Sequence, residues 1–366
     1  MEIWSNTKYW CSSLDLIKES IGKGISMSNE EYMSEKNGQR NLKNKKRRRR
    51  KKLMKRVMSC MLVLIAVVSG IVSAKIKYEV TDAFSTMGRD KSSDLSNVLD
   101  DKDLLSDDQI VNILLIGSDK RATWSQKGRS DSTMIATIDN KHKQLKLTSL
   151  MRDMYVEIPG HGQRKFNAAY SLGGVELLYE TIAHNFNMKL DGYILVDFEA
   201  FKSLIDEVGG VDINLNQEEY EYLTTAYHRS SVLDVVAGPQ TMNGEQALAY
   251  TRIRQVGNND FERTQRQRNV MTSLFAKAKA MPFTKLFDLG KTVLPYITTD
   301  LSNDEIFRFG RTVLFMGTTE IHQMRIPVDN SYTDEKVNKA SVLAIDLEQN
   351  KQALSEFIFN PVSDEN

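Results

Sequence analysis

Hydrophobic positions along the chain fall into two regimes. Val57 to Ala74 is an uncharged run of eighteen residues, which as a helix would span about 27 Å, close to the hydrocarbon thickness of a bilayer. Beyond residue 109 the apolar residues come in short, punctuated groups. Ile110 to Ile116 reads as a strand buried on both faces and ended by Gly117-Ser118. Thr133 to Ile138 and Leu145 to Thr148 predict two more strands, separated by the polar turn Asp139-Asn140-Lys141. After Gly173-Gly174, the residues Val175, Leu177, Leu178, Ile182 and Phe186 keep helical spacing, and Tyr193 to Val196 returns to a strand pattern. Asp197 suits the cap of a helix over Phe198 to Val208, which Gly209-Gly210 closes before a strand at Val211 to Leu215.

Gly244 to Ala249 predicts a helix and Tyr250 to Arg254 an extended segment. Phe261 to Ala280 is the longest helical pattern, stopped by Pro282, and shorter helices with a strand at Ile321 to Ile326 follow. There is no internal repeat. Alternating strands and helices predict an α/β domain, with a mixed central sheet covered by helices on both faces.

Charge gives the apolar run its meaning. The chain of 366 residues carries a net charge of +1, yet Lys43 to Arg56 holds eleven Lys or Arg and no acid, which leaves the remainder near −10. Positive charge stays on the cytoplasmic side, so the run is expected to be a retained transmembrane helix, the signal-anchor of a single-pass cell-membrane protein. Its N-terminus would be cytoplasmic and its main domain extracytoplasmic. Val72-Ser73-Ala74 also fits a signal-peptidase site, and cleavage after Ala74 is the alternative.

The expected organisation is therefore a basic, disordered cytoplasmic tail over 1–56, the anchor over 57–74 and an acidic extracytoplasmic stalk over 75–108. The main domain covers 109–280, and 281–366 completes it. A basic run can also mark a nucleic-acid patch, but its place against the anchor favours topology and contact with anionic lipid. No nucleic-acid partner is expected for the acidic remainder. Both cysteines, Cys11 and Cys60, precede the main domain, and the five histidines lack metal-ligand spacing, so thiol and zinc chemistry are not expected there.

Candidate chemistry gathers at the ends of the predicted elements. Asp119 and Asp131 sit in loops at neighbouring strand ends, where two carboxylates could share a magnesium ion; the alternative is that each caps a turn. Arg252 and Arg254, two apart, would share one face of an extended segment. Arg263 and Gln267, four apart, share one face of the following helix, with Asp260 and Arg266 nearby. Arg152-Asp153 follows the strand that begins at Leu145, and Arg121 follows Asp119. Guanidinium forks bind phosphate oxygens in pairs, so several together could hold a pyrophosphate; surface ion pairs are the competing explanation.

Seven stretches carry a resemblance. They are Asn112-Ile-Leu-Leu-Ile-Gly-Ser-Asp119, Gly128-Arg-Ser-Asp131, Arg152-Asp-Met-Tyr-Val156, Lys165-Phe-Asn-Ala-Ala-Tyr170, Val208-Gly-Gly-Val211, Asn243-Gly-Glu-Gln-Ala-Leu-Ala-Tyr-Thr-Arg-Ile-Arg254 and Asp260 through Arg268. In this order, over roughly 110–280, they resemble the LytR-CpsA-Psr family of cell-wall glycopolymer transferases. Met151 stands where the family commonly has proline.

The resemblance implies an anionic glycopolymer, such as a teichoic acid or a capsular polysaccharide, moved from a polyprenyl pyrophosphate donor to a sugar hydroxyl of a peptidoglycan acceptor. It implies magnesium at Asp119 and Asp131, and phosphate contacts from Arg129, Arg152, Arg252, Arg254, Arg263 and Gln267. Asp119, Arg252 and Arg254 become the catalytic candidates; Arg121, Lys165, Asn167 and Arg266 are further candidates. Residues 109–280 would be the catalytic domain, with an apolar channel for the lipid between sheet and helices. Other readings are a non-catalytic polyprenyl-pyrophosphate binder acting as a wall regulator or transcriptional attenuator, and a pyrophosphatase acting on the same lipids.

Overall fold

The computed structural model describes residue 34 and residues 86–89, 103–118, 130–226, 234–318 and 320–363. The tail and the expected anchor at Val57–Ala74 lie outside these, apart from residue 34, as does most of the expected stalk. Among the described residues no helix is long and apolar enough to cross a membrane. From residue 86 onward, all described elements fall in one unit, Glu79–Asn366.

The organising element is a seven-stranded mixed sheet in the order β1-β10-β7-β2-β3-β4-β11. Its strands are β1 (Gly88–Arg89), β2 (Ile110–Ser118), β3 (Ser130–Asp139), β4 (Gln144–Leu150), β7 (Gly192–Asp197), β10 (Ile297–Thr299) and β11 (His322–Ile326). A second sheet joins β5 (Met154–Ile158), β6 (Gly162–Lys165), β12 (Tyr332–Val337) and β13 (Ala340–Ile345), and β8 (Val211–Leu215) pairs with β9 (Gly238–Met242).

The central strand β2 is apolar on both faces because both are covered. Ile110, Leu114 and Ile116 join a core with α1 (Ala168–Phe186) and α8 (Leu347–Phe359), through residues such as Leu178, Ile182 and Leu354. Ile113 and Leu115 face the other way, toward Phe275 of α5 (Asn259–Ala280) and Phe309 of α7 (Asn303–Phe315). A third cluster packs α2 (Phe198–Glu207), α3 (Gln217–Ala226), α4 (Gly244–Thr251), α5 and α6 (Phe283–Val293) around β8 and β9. Each fully buried Leu or Ile in these clusters contributes about 1.5–3 kcal/mol.

Local signals set the elements that frame the site. Asp197 ends β7 and caps α2, its carboxylate accepting from the Ala200 N–H at 2.8 Å. Asn243 and Gln246 form a reciprocal capping box at the start of α4. Gly244 between them is required by contact, since a Cβ there would stand 2.3 Å from the Lys202 carbonyl oxygen of α2. α4 therefore lies directly on α2.

Some expectations need correction. Tyr250 to Arg254 is not an extended strand. The capping box starts a helix that runs to Thr251, Arg252 is its C-cap in αR conformation, and Ile253 is fully buried. Two arginines two residues apart cannot by themselves separate a strand from a helix end whose intervening residue plunges into the core. Parts of the expected stalk belong to the domain: Gly88–Arg89 pairs with β10, and Leu105 exchanges backbone hydrogen bonds with Asn187 and Lys189. The segment after residue 281, expected to complete the domain, is no correction: it contributes β10 and β11 to the main sheet.

The C-terminal end is tied to the sheet by a buried cation. Lys146 of β4 donates to the Asp139 carboxylate at 2.7 Å and to the carbonyls of Ile358 and Asn360 at 2.9 and 2.8 Å.

Candidate active site

Between the sheet and helices α2, α4 and α5 lies a cavity of about 540 Å³. Its chemistry is graded. Leu115, Met134 and Ile194 from the sheet, Phe201 and Leu204 from α2, and Leu248 from α4 form an apolar body. On α5 the lining residues Arg263, Gln267, Met271 and Leu274 fall at helical spacing on one face, so the wall passes from charged to apolar over about 16 Å of helix rise. At the charged end Arg252 and Arg254 join Arg263, and the Ser132 hydroxyl donates to Gln267 Oε1 at 3.1 Å. The Arg252 guanidinium lies 5.2 Å from the centroid of the Phe198 ring.

Behind these arginines two carboxylates order the cations. Asp260, in the first turn of α5, accepts from Arg152 Nη2 at 3.2 Å, meets Arg263 Nη1 at 2.9 Å and stands 4.0 Å from Arg254 Nε. Asp153 accepts from Arg152 Nε at 3.1 Å and from Lys165 Nζ at 2.5 Å. Each carboxyl also shifts the ionisation of the other.

Burial opposes ionisation of Asp153, but the bonds from Asp260 and Lys165 and the charge of Arg152 carry its carboxyl down to about 2. Asp260 moves the other way: burial and the neighbouring Asp153 raise it, against the charges of Arg263 and Arg152. Phe261 fixes the start of α5 by stacking on Tyr332 of β12 at 5.0 Å, with Arg325 at 4.4 Å from the Phe261 ring centroid.

Of the residues expected from sequence, Arg252, Arg254, Arg263 and Gln267 meet in the cavity. Arg152 and Lys165 reach the same cluster through Asp153 and Asp260. Asn167 stands at the N-cap of α1 with its N–H on the Arg152 carbonyl at 3.1 Å, where it holds the turn that carries Arg152.

Arg266 is a correction. It is 2% exposed and bound to Glu219 at 2.6 Å and to the carbonyls of Ile253 and Val256. It braces the segment holding Arg252 and Arg254 and does not line the cavity.

Asp119, Arg121 and Arg129 lie outside the described residues, as does the side chain of Asp131. The backbone around them is informative. β2 and β3 pair up to Gly117↔Ser132 and then slip to Ser118↔Ser130, which makes Asp131 the extra residue of a β-bulge. Ser118, immediately before Asp119 in the chain, is thus paired beside Asp131.

The role of Asp260 is missed by the sequence reading; the signal that could have found it is its i, i+3 spacing to Arg263. The apolar lining from Phe201, Leu204 and Met271 had no signal separable from ordinary core.

Residues 71–356 match the LytR_cpsA_psr family. "Regulatory protein MsrR" of Staphylococcus aureus (strain COL) is 33% identical over 260 residues, 69% of this chain and 76% of that protein. "Polyisoprenyl-teichoic acid--peptidoglycan teichoic acid transferase TagU" of Bacillus anthracis (strain CDC 684 / NRRL 3495) is 36% identical over 206 residues, 56% of this chain and 64% of that protein. Among solved structures, "TagT bound to LI-WTA" superposes with a TM-score of 0.58 at 25% identity, covering 70% of this chain and 94% of that one.

Proposed function

The chain belongs to the LytR_cpsA_psr family, and from that premise we propose that it transfers an anionic glycopolymer from a polyprenyl pyrophosphate to a peptidoglycan hydroxyl. The observation that carries this reading is the graded cavity. An apolar body of about 540 Å³ opens at one end onto Arg252, Arg254 and Arg263, which suits a ligand that is hydrocarbon at one end and pyrophosphate at the other. One relative supports the same substrate class: TagU of Bacillus anthracis is named as a teichoic acid transferase.

In this reading the lipid chain lies along Met134, Leu204 and Met271, and the arginines orient the two phosphates. A sugar hydroxyl attacks the phosphorus bonded to the glycopolymer. A new P–O bond forms to the acceptor, the bond to the oxygen bridging the phosphates breaks, and polyprenyl phosphate leaves with the electron pair. The hydroxyl proton passes to a carboxylate, for which Asp119 is the candidate. Arg252 and Arg254 stabilise charge growing on the leaving phosphate. Magnesium, held by Asp119 and Asp131, would neutralise further charge on the phosphate oxygens.

The anchor at 57–74 would keep the domain outside the membrane yet within reach of a lipid-borne donor. Charge argues against a DNA-binding role for the main domain, because the chain outside Lys43–Arg56 is acidic.

The decisive experiment is transfer in vitro, with the full chain in detergent, a lipid-linked teichoic acid donor, peptidoglycan and magnesium. Polymer covalently bound to peptidoglycan is the expected product. Donor binding without transfer would support the non-catalytic reading, and release of free polymer would support the pyrophosphatase.

A further inference from the structure

We propose that Asp260 is a positioning residue for the phosphate-binding arginines, a single carboxylate that gathers Arg152, Arg254 and Arg263 and sets the directions of their guanidinium groups. The inference rests on the reading of this cavity as a pyrophosphate-lipid site.

The three arginines come from separate parts of the chain: the turn after β4, the segment after α4, and α5. Three guanidiniums brought together without a counter-charge would repel one another and splay toward solvent. Asp260 divides its two oxygens among them. One accepts from Arg152 at 3.2 Å; the other meets Arg263 at 2.9 Å and faces Arg254 at 4.0 Å.

Arg152 is gripped on two edges, because Asp153 takes its Nε at 3.1 Å while Asp260 takes Nη2. Asp153 is in turn held by Lys165 of β6. A guanidinium fixed in this way loses less conformational freedom when phosphate arrives, and the ion pairs to Arg263 and Arg254 hold their charges beside it.

Asp260 itself has little room to move. It occupies the first turn of α5, and its neighbour Phe261 is stacked on Tyr332. It does not line the cavity, whereas Arg254 and Arg263 do. This arrangement distinguishes a positioning carboxylate from a temporary counter-ion that phosphate displaces. A temporary counter-ion would occupy the ligand's own volume, but Asp260 contacts the arginines from behind, and its contact with Arg263 spans one turn of a single helix.

The test compares geranylgeranyl pyrophosphate with geranylgeraniol as ligands of the full chain in detergent, for wild type, Asp260→Ala and Asp260→Asn. We expect Asp260→Ala to weaken binding of the pyrophosphate lipid about tenfold or more, with binding of the alcohol unchanged. Asp260→Asn, which keeps one acceptor oxygen and the side-chain volume, should recover part of the loss. Unchanged or tighter pyrophosphate binding by Asp260→Ala would overturn the proposal, since a displaced counter-ion predicts that result. Equal loss of both lipids in both variants would also overturn it, in favour of a merely structural role. Wild type binding both lipids alike would instead overturn the reading of the cavity, and this inference with it.

Discussion

Arg152 and Asp260 meet at 3.2 Å although 108 positions separate them in the chain. The contact joins the turn after β4 to the first turn of α5. It places the family's Arg-Asp pair and its arginine-rich helix in one electrostatic unit, which also includes Asp153 and Lys165.

That unit makes stability depend on acid. Burial opposes the charge on Asp153, but its partners hold the folded-state carboxyl at about 2, below the ordinary 3.8. A depressed carboxyl contributes stability above pH 3.8 and loses it as pH falls toward 2. Asp260 is raised, so its ionisation costs stability as pH climbs through its folded value, which offsets part of the gain. Asp153→Asn is expected to destabilise the fold at pH 7 and to have almost no effect at pH 2. Thermal melts across that range check it; a deficit of the same size at both ends would mean that charge is not the cause.

Arg252 and Arg254 should matter to chemistry more than to folding, because both are exposed at the charged end of the cavity. Loss of one well-aimed donor costs about 10²–10³ in rate. The double variant Arg252→Ala with Arg254→Ala is therefore expected to abolish measurable transfer while its melting temperature stays near that of wild type. Transfer within tenfold of wild type would remove both residues from the mechanism.

Parts of this site were legible in the sequence, and the reasons differ from residue to residue. Arg263 and Gln267 were readable together because helical periodicity alone puts residues four apart on one face, and the helix is long. Arg252 and Arg254 reach the cavity by a different route from the alternating strand that their spacing suggested: a helix cap followed by the buried Ile253 turns both outward. Arg266 failed because its partner Glu219 lies on α3, a short helix of weak apolar pattern that no local signal links to α5.

The meeting of Lys165 with Asp153 depends on the β5–β6 hairpin, whose second strand, Gly-Gln-Arg-Lys, has no strand-like pattern at all. For the sheets, strongly apolar β2 was plain, whereas β12 is mostly polar and exposed and packs on the core through Tyr332.

The Lys146–Asp139 pair makes the C-terminal helix part of the folding unit. Both side chains are fully buried, and the ammonium also holds two carbonyls at the end of α8. Lys146→Ala would leave a buried carboxylate with only His142 beside it and free both carbonyls, at a cost of about 3–5 kcal/mol. Denaturant titration should show that loss at pH 7. A loss below about 1 kcal/mol would place the pair with ordinary surface ion pairs.

The apolar body of the cavity can be tested apart from the arginines. Met271 lies on the α5 stripe two helical steps beyond Arg263, between Gln267 and Leu274, where the wall has already become apolar. Met271→Trp would put a large ring into space that the proposed lipid chain uses, without touching the charged end. The expected result is selective: binding of a long polyprenyl pyrophosphate falls about tenfold, roughly 1.4 kcal/mol, whereas a pyrophosphate bearing a single short isoprenoid loses little. Isothermal titration with the two lipids measures the difference. Equal weakening of both would mean that the ring disturbs the arginines through α5, and no weakening of either would mean that the chain of the long lipid does not pass Met271.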